Sequence, residues 1–264
     1  MSNFQSAVLG ILQGVGEFLP VSSSAHLAIA PYFFGWKYQG LAYDVMLHLG
    51  TLCAILIYFA KDWVKIIHDG VKKPRENDGK ILWLVVLATI PGALAGYFLE
   101  DLAETVFRNP AWIGLNLIFF SIFIYLADRN PEQSLEISSI NVKDALIIGI
   151  AQALAIFPGA SRAGMTIMAG LFLGYKRQDS ARFSFLLATP IIFGAGILEM
   201  RKFTASAMDA SLVLGFLFSF ISGWLSIKFL LSYLKTKNLT IFIVYRILLG
   251  GLILYKFKFL QEKF

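Results

Sequence analysis

EFLPVSSSAH, residues 17–26, and FPGASRAGMT, residues 157–166, interrupt two apolar stretches that run over 4–34 and 142–174. Each interruption puts Pro, Gly, Ser and a charged side chain in the middle of a segment that otherwise reads as membrane helix. The halves on either side are too short to cross, since a spanning helix needs about 20 mostly apolar residues. A re-entrant pair of half-helices, which enters, turns and returns to the same side, fits this pattern. Irregular backbone at membrane depth is tolerated only where protein buries it or a wet cavity receives it. The two interruptions therefore mark where polar chemistry is to be sought.

Six other segments are long and apolar enough to cross: roughly 41–60, 81–99, 111–127, 181–199, 210–231 and 239–258. The composition agrees. Of 264 residues, 57% are hydrophobic and 15% charged, against about 25% charged in soluble domains. Mean hydropathy is +0.68. Such a chain is neither disordered nor collagen-like, and carries no nucleic-acid-binding tail. A bilayer is its expected solvent, and no nucleic acid is an expected partner. The single cysteine, Cys53, excludes an intrachain disulfide and a multi-cysteine metal site. The first basic residue is Lys37, which leaves no positively charged start for a cleaved leader.

The order of elements repeats. One broken pair and three spans precede a second broken pair and three more spans. Three is odd, so the second set is inverted, as in transporter-like folds whose sites lie where broken helices meet. The expected fold is an all-α polytopic membrane protein with six transmembrane helices and two re-entrant helix pairs in an inverted-topology repeat. It forms a single integral membrane domain over 1–264, with repeat 1 about 1–127 and repeat 2 about 142–258. The breaks also match weakly in sequence: Gln13, Phe18, Pro20 and Ser23 against Gln152, Phe157, Pro158 and Ser161. The net charge of +6 reads as a topology label. The loops 61–80, 128–144, 175–182 and 232–240 hold 13 Lys and Arg, and the opposite side holds 7. Basic loops stay inside, so the first set is expected in the cytoplasm, with both termini and the entry to the first break outside.

Within the first break, Gln13 and Glu17 share a helix face at i and i+4. Ser22, Ser23 and Ser24 are placed to cap the second half-helix, whose free N–H groups attract anions, and His26 follows the turn. Glu17 is the informative residue, because an ionisable group at membrane depth costs about 2.5–3.5 kcal/mol or more and marks function by default. In the second break, Gly159 and Gly164 permit close backbone approach, and Ser161 leads into Arg162. The guanidinium is a fixed fork suited to phosphate oxygens. Helix-start N–H groups and the Thr166 hydroxyl add further contacts to the same anion. Arg162 is also placed to form an ion pair with Glu17 across the two breaks. No Walker loop, dinucleotide fingerprint or multi-His or multi-Cys zinc set is present in the sequence. These residues alone indicate a membrane-embedded handler of an anionic, phosphorylated ligand, and leave hydrolysis and transport open.

Weaker signals lie elsewhere. Asp44 and His48, i and i+4 at the start of a span, read as interfacial or packing residues in preference to metal ligands. Arg246 reads as a snorkelling side chain or one that satisfies helix ends, with guidance of the substrate as the alternative. The segment 61–80 reads as an amphipathic cytoplasmic surface element near anionic lipid.

At QGVGEFLPVSSSAH (13–26) and PGASRAGMT (158–166) the sequence resembles the two signature motifs of the undecaprenyl-diphosphate phosphatase family, the bacitracin-resistance proteins. RFSFLLATP (182–190) and YR (245–246) extend the resemblance over essentially the whole chain. The resemblance implies hydrolysis of undecaprenyl diphosphate to undecaprenyl phosphate and inorganic phosphate. That reaction recycles the lipid carrier for cell-wall synthesis and gives bacitracin resistance. It also implies a divalent cation, Mg2+ or Ca2+, and a site open to the outer face of the bacterial cytoplasmic membrane.

Carried over by position, Glu17 and His26 become the acid/base and metal-associated pair, and Ser23 the nucleophile or phosphate ligand. Arg162 stabilises charge, and Ser161 helps to hold the diphosphate. Ser22, Ser24, Gly159, Gly164 and Thr166 line its expected binding site. Gln13 stands where the family accepts Glu or Gln, which leaves Glu17 as the expected cation ligand and Gln13 as a lesser, neutral donor. Ala163 replaces a usual second serine of the later motif. Expected partners are the lipid substrate, the phospholipid bilayer and a second copy of the chain in a homodimer. A transporter or flippase of a phosphorylated lipid or other anion is the alternative function.

Overall fold

The computed structural model describes residues 1–105, 107–200 and 210–261. Among them the regular structure is helical. Eleven α-helices follow in order: α1 (Asn3–Phe18), α2 (Ser23–Phe34), α3 (Leu41–Tyr58), α4 (Ala60–Lys72), α5 (Asn77–Thr105), α6 (Pro110–Asp128), α7 (Val142–Ala153), α8 (Arg162–Phe172), α9 (Arg177–Met200), α10 (Ala210–Tyr233) and α11 (Thr240–Gln261). Short 3-10 turns occupy Ile137–Ser139 and Leu154–Ile156. Both expected breaks are present, between α1 and α2 and between α7 and α8. α2, α7 and α8 have 12, 12 and 11 residues, about 16–18 Å at 1.5 Å per residue, well short of a hydrocarbon core of about 30 Å.

Five helices, α5, α6, α9, α10 and α11, are each long and apolar enough to cross a membrane. The sixth expected span, 41–60, is α3. It passes the same test only together with α4, which leaves it at a bend of 74°. The physical reason is the sequence that follows Phe59. AKDWVKIIHDGVK puts Ile66 and Gly70 on one buried face and its charges on the other. The helix therefore lies along the bundle's end, as an amphipathic segment does. The chain is a multi-pass membrane protein by these spans. Large apolar side chains such as Tyr97, Phe98, Leu248 and Ile241 face outward. Ser6, Gln13, Glu17, Ser121 and Arg246 lie inside.

Side-chain bonds group the loops at two ends. At one end Ser6 meets Tyr43, Tyr38 and Asp44 meet Arg108, and Lys256 reaches the Phe33 carbonyl. The opposite end joins Asp62 to Arg182, Asp128 to Arg177 and the Leu239 N–H, and Glu136 to Lys176. Arg201, Lys202 and Lys263, counted above on the less basic side, lie outside the described residues.

The two breaks share a backbone. Ser22 (φ 76°) caps α2 and Ser161 (φ 74°) caps α8, and these are the only non-glycine residues with positive φ among the described residues. A non-glycine residue held there costs on the order of 1–3 kcal/mol and persists only where its surroundings fix it. The caps correct the register read from sequence, because Ser22, not Ser23, stands where Ser161 does. Ser23 then corresponds to Arg162, and Gln13 and Gln152 fall at equal distances before their caps. Packing pairs off likewise, with α1 lying along α10 and α7 along α5. The α1–α10 seam is built of small residues on both sides: Ser6, Gly10 and Gly14 against Ser211, Gly215, Ser219 and Gly223. A Cβ on Gly14 would collide with the backbone at Gly223, the close approach by which membrane helices associate.

Candidate active site

The turns at the two breaks meet. The Gly159 N–H donates to Ser22 Oγ at 3.2 Å. Gly159 has φ 97°, and a Cβ there would crowd the Ile113 carbonyl and Asn116, so glycine alone fits. Asn116 Nδ2 donates to the Pro158 carbonyl at 3.0 Å. Each capping serine accepts from its own helix start: Ser22 Oγ from the Ala25 N–H and Ser161 Oγ from the Gly164 N–H. The first N–H groups of α2 and α8 have no acceptor within their helices and supply donors for an anion. Behind the turns, Arg246 is fully buried on α11. Its Nη1 donates to the Pro20 carbonyl at 3.2 Å, Nη2 to the Gly159 carbonyl at 2.9 Å and Nε to Ser121 Oγ at 2.8 Å. One guanidinium thus ties both turns together. It satisfies the chain ends at the two breaks, one of the roles read from sequence, and does not snorkel.

In front of the turns lies Glu17, buried near the end of α1. Arg162 Nη2 donates to its Oε1 at 2.7 Å, the ion pair across the breaks. Ser23 Oγ donates to its Oε2 at 2.7 Å, and Gln13 Nε2 donates to the same oxygen at 3.0 Å. Arg162 Nη1 is held by the Ser184 carbonyl at 3.1 Å. Thr166 Oγ1, with one proton to donate, lies 2.6 Å from Ser184 Oγ and 2.9 Å from the Arg162 carbonyl, which braces α8 on α9. Carboxylate and hydroxyl, from either side of the first break, therefore converge with the guanidinium of the second.

Histidine placement differs from the sequence reading. His26 donates from Nδ1 to the Ser22 carbonyl at 2.7 Å, and its Nε2 meets the Tyr245 hydroxyl at 2.6 Å. It lines a cleft of about 310 Å³ walled by Leu12, Val15, Leu19, Val21 and Phe242. The imidazole beside the carboxylate is His48, with Nε2 3.5 Å from Glu17 Oε2. His48 was read as an interfacial or packing residue. No local signal marks this contact, because the i, i+4 step from Asp44 does not say which helix that face meets. Asp44 is the packing residue of the two, paired with Arg108 Nη2 at 2.7 Å and accepting from Tyr38 at 3.0 Å. Tyr38 lies in the loop before α3. Burial first, and then the Asp44 carboxylate, push its phenol above the ordinary value.

The remaining expected residues take lesser positions. Ser24 is exposed with its Oγ 3.2 Å from Ser22 Oγ. Ser161 and Gly164 close the cap of α8 on the Arg162 side. Among the described residues no three His, Cys, Asp or Glu side chains gather as a metal cluster. One observation does favour a cation: Gln13 Oε1 is buried with no hydrogen-bond partner, beside the carboxylate to which its own amide nitrogen donates.

The chain matches the family described as bacitracin resistance protein BacA over residues 6–252. It is 52% identical to a protein of Elusimicrobium minutum (strain Pei191) named undecaprenyl-diphosphatase, over 96% of this chain and 98% of that relative. A Pelotomaculum thermopropionicum protein of the same name is 47% identical over 95% of each chain. One from Marinobacter nauticus is 41% identical over 96% of this chain and 98% of the relative. With a match over nearly its full length, this chain belongs to the bacitracin resistance protein BacA family.

Proposed function

We propose that this chain is an integral membrane phosphatase that hydrolyses undecaprenyl diphosphate to undecaprenyl phosphate and inorganic phosphate. The observation that carries the reading is the Ser23–Glu17–Arg162 constellation, with 2.7 Å on both bonds. Substrate binding alone needs no hydroxyl aimed at a buried carboxylate, so the geometry favours hydrolysis over a transporter or flippase. The named relatives point to the same substrate.

Ser23 Oγ attacks the terminal phosphorus and passes its proton to Glu17 Oε2, or a water held in the same place does so. Arg162 turns its fork from Glu17 to the phosphoryl oxygens, and the helix-start N–H groups of α2 and α8 share the charge. The P–O bond to the bridging oxygen breaks and undecaprenyl phosphate leaves; in the serine route a water then hydrolyses the phosphoserine, which releases inorganic phosphate and restores the Ser23 hydroxyl. His26, held by Tyr245 in the apolar cleft, stands where the isoprenoid-bearing phosphate enters. Glu17, with Gln13 as a lesser donor, would hold a divalent cation, which would neutralise diphosphate charge and orient the phosphates.

Two architectural readings accompany the mechanism. The chain is a single domain of two inverted repeats, supported by the matched caps and matched packing. The site lies near mid-depth, with His48 about 10 Å along α3 from the end that holds Tyr38. We place that end on the outer face of the bacterial cytoplasmic membrane, because the other end carries most of the basic residues. A homodimer is a further proposal, read directly by native mass spectrometry in detergent. Phosphate release by detergent-purified protein, with and without EDTA, tests the enzyme. Uptake into proteoliposomes with no phosphate release would establish the transporter instead.

A further inference from the structure

We propose that a notch between α10 and the bend of α3 into α4 binds an anionic phospholipid, whose phosphate is held by Lys228 and Lys235. The site is independent of the diphosphatase reading and lies at the end that carries most of the basic residues. Lys228 is exposed on α10, beside the outward-facing side chains of Ile221, Leu225 and Phe229. No Asp or Glu occurs anywhere in 210–261, a stretch that carries Lys228, Lys235, Lys237, Arg246, Lys256 and Lys258. Among the described residues none of the ion pairs includes Lys228. A charge on a membrane helix is costly and normally has a partner. The lipid is the anion left to supply one.

Three ring contacts fix what Lys228 faces. Its Nζ lies 5.6 Å from the centre of the Trp224 ring, one turn back along α10. The Trp224 ring is 6.4 Å from that of Tyr58, the last residue of α3. Tyr58 is 5.0 Å from Phe59, where the chain bends by 74° into α4. Trp224 and Lys228 are i and i+4 and share a face. At the level of Trp224 that face meets α3. One turn further on, α3 has already turned away, and Lys228 looks into the space it leaves. α4 does not refill that space, because it packs on α5 and reaches α9 through Asp62 and Arg182. α10 continues past Trp224 to Tyr233, about 13 Å at 1.5 Å per residue, which is the depth of the notch. The Lys228 ammonium reaches back over Trp224, as helical side chains lean toward the N-terminus, and so does not snorkel out. Lys235 follows seven residues on, two turns along the same side, since the Leu234 N–H still donates to the Leu230 carbonyl at 2.9 Å. The two lysines flank the notch floor and its mouth. Basic pockets of this kind between membrane helices receive phosphate headgroups. The apolar surface of Ile221, Leu225 and Phe229 beside them suits an acyl chain, which favours a phospholipid over free phosphate.

The test uses full-length protein in nanodiscs of equal parts phosphatidylglycerol and phosphatidylcholine, with the lipid retained on release counted by native mass spectrometry. The unaltered protein should keep phosphatidylglycerol in preference to phosphatidylcholine. Lys228→Gln should lower that preference about 5-fold, the equivalent of the roughly 1 kcal/mol that one basic residue contributes beside an anionic surface. Adding Lys235→Gln should lower it further, and Lys228→Arg should retain it. Lys37→Gln, at the opposite end, should leave it unchanged. Lys235→Gln alone, in an exposed turn, gives a second reading should Lys228→Gln fail to fold. Equal retention of the two lipids by the unaltered protein overturns the site. So does a preference that survives the double substitution at an unchanged thermal midpoint. Displacement of phosphatidylglycerol by 10 mM inorganic phosphate, roughly a physiological excess, overturns the assignment to a lipid and leaves a free-phosphate site in its place.

Discussion

Glu17 divides its two oxygens between two tasks, Arg162 on one and Ser23 with Gln13 on the other. Arg162→Ala should therefore lower kcat by at least ~100-fold, the scale of losing one preorganised donor to developing charge. It should also strand Glu17 as a buried, unpaired carboxylate. Wild-type turnover by purified Arg162→Ala would sink the constellation. Ser23→Ala should abolish a phosphoserine that acid quenching traps in the unaltered protein. Full activity in Ser23→Ala would instead assign the attack to water. Arg246 belongs to stability. Arg246→Met leaves the Pro20 and Gly159 carbonyls without their donor, and a buried unsatisfied polar group costs about 1–3 kcal/mol. Arg246→Lys should recover little of the thermal midpoint in detergent, because an ammonium cannot reproduce a three-way planar fork.

At the scale of elements, the breaks are held open by their caps. Ser161→Ala should cost about 1 kcal/mol through loss of the capping bond. Ser161→Gly should cost only a few tenths, since glycine takes φ 74° freely. An alanine variant as stable as the glycine variant would show that the backbone conformation carries no cost. Gly14→Leu should split α1 from α10, with an overpacking penalty of about 1–3 kcal/mol or more, read as a lowered midpoint together with lost activity. Both α1 residues of the site, Gln13 and Glu17, are positioned by that seam.

Over the whole molecule, the two ends carry the orientation. In a Cys53→Ser background, Lys37→Cys should react with an impermeant maleimide on intact cells, and Lys237→Cys should react only after lysis. Both positions are exposed and lie at opposite ends. The reverse pattern would invert the topology and move the site's opening to the cytoplasm. The breaks, five of the six spans and the Glu17–Arg162 pair were legible in sequence, because apolar length and a charge inside it are local signals. The bend after α3 was legible only as an amphipathic segment, since 41–60 by itself has the composition of a span. The small-residue seam was written at intervals of four residues, but no local rule says which helix such a stripe meets.

The sequence by itself determined that the chain lives in a bilayer, where it breaks, and which acidic, basic and hydroxyl residues lie at depth. Burying polar groups in hydrocarbon is so costly that their presence alone is informative. Only the tertiary structure decided their partners. It matched Ser22 with Ser161, turned His26 toward Tyr245, brought His48 to Glu17 and drew Arg246 behind both turns. These contacts join residues 31 to 226 positions apart. They are fixed by how helices pack, which composition and local periodicity do not encode.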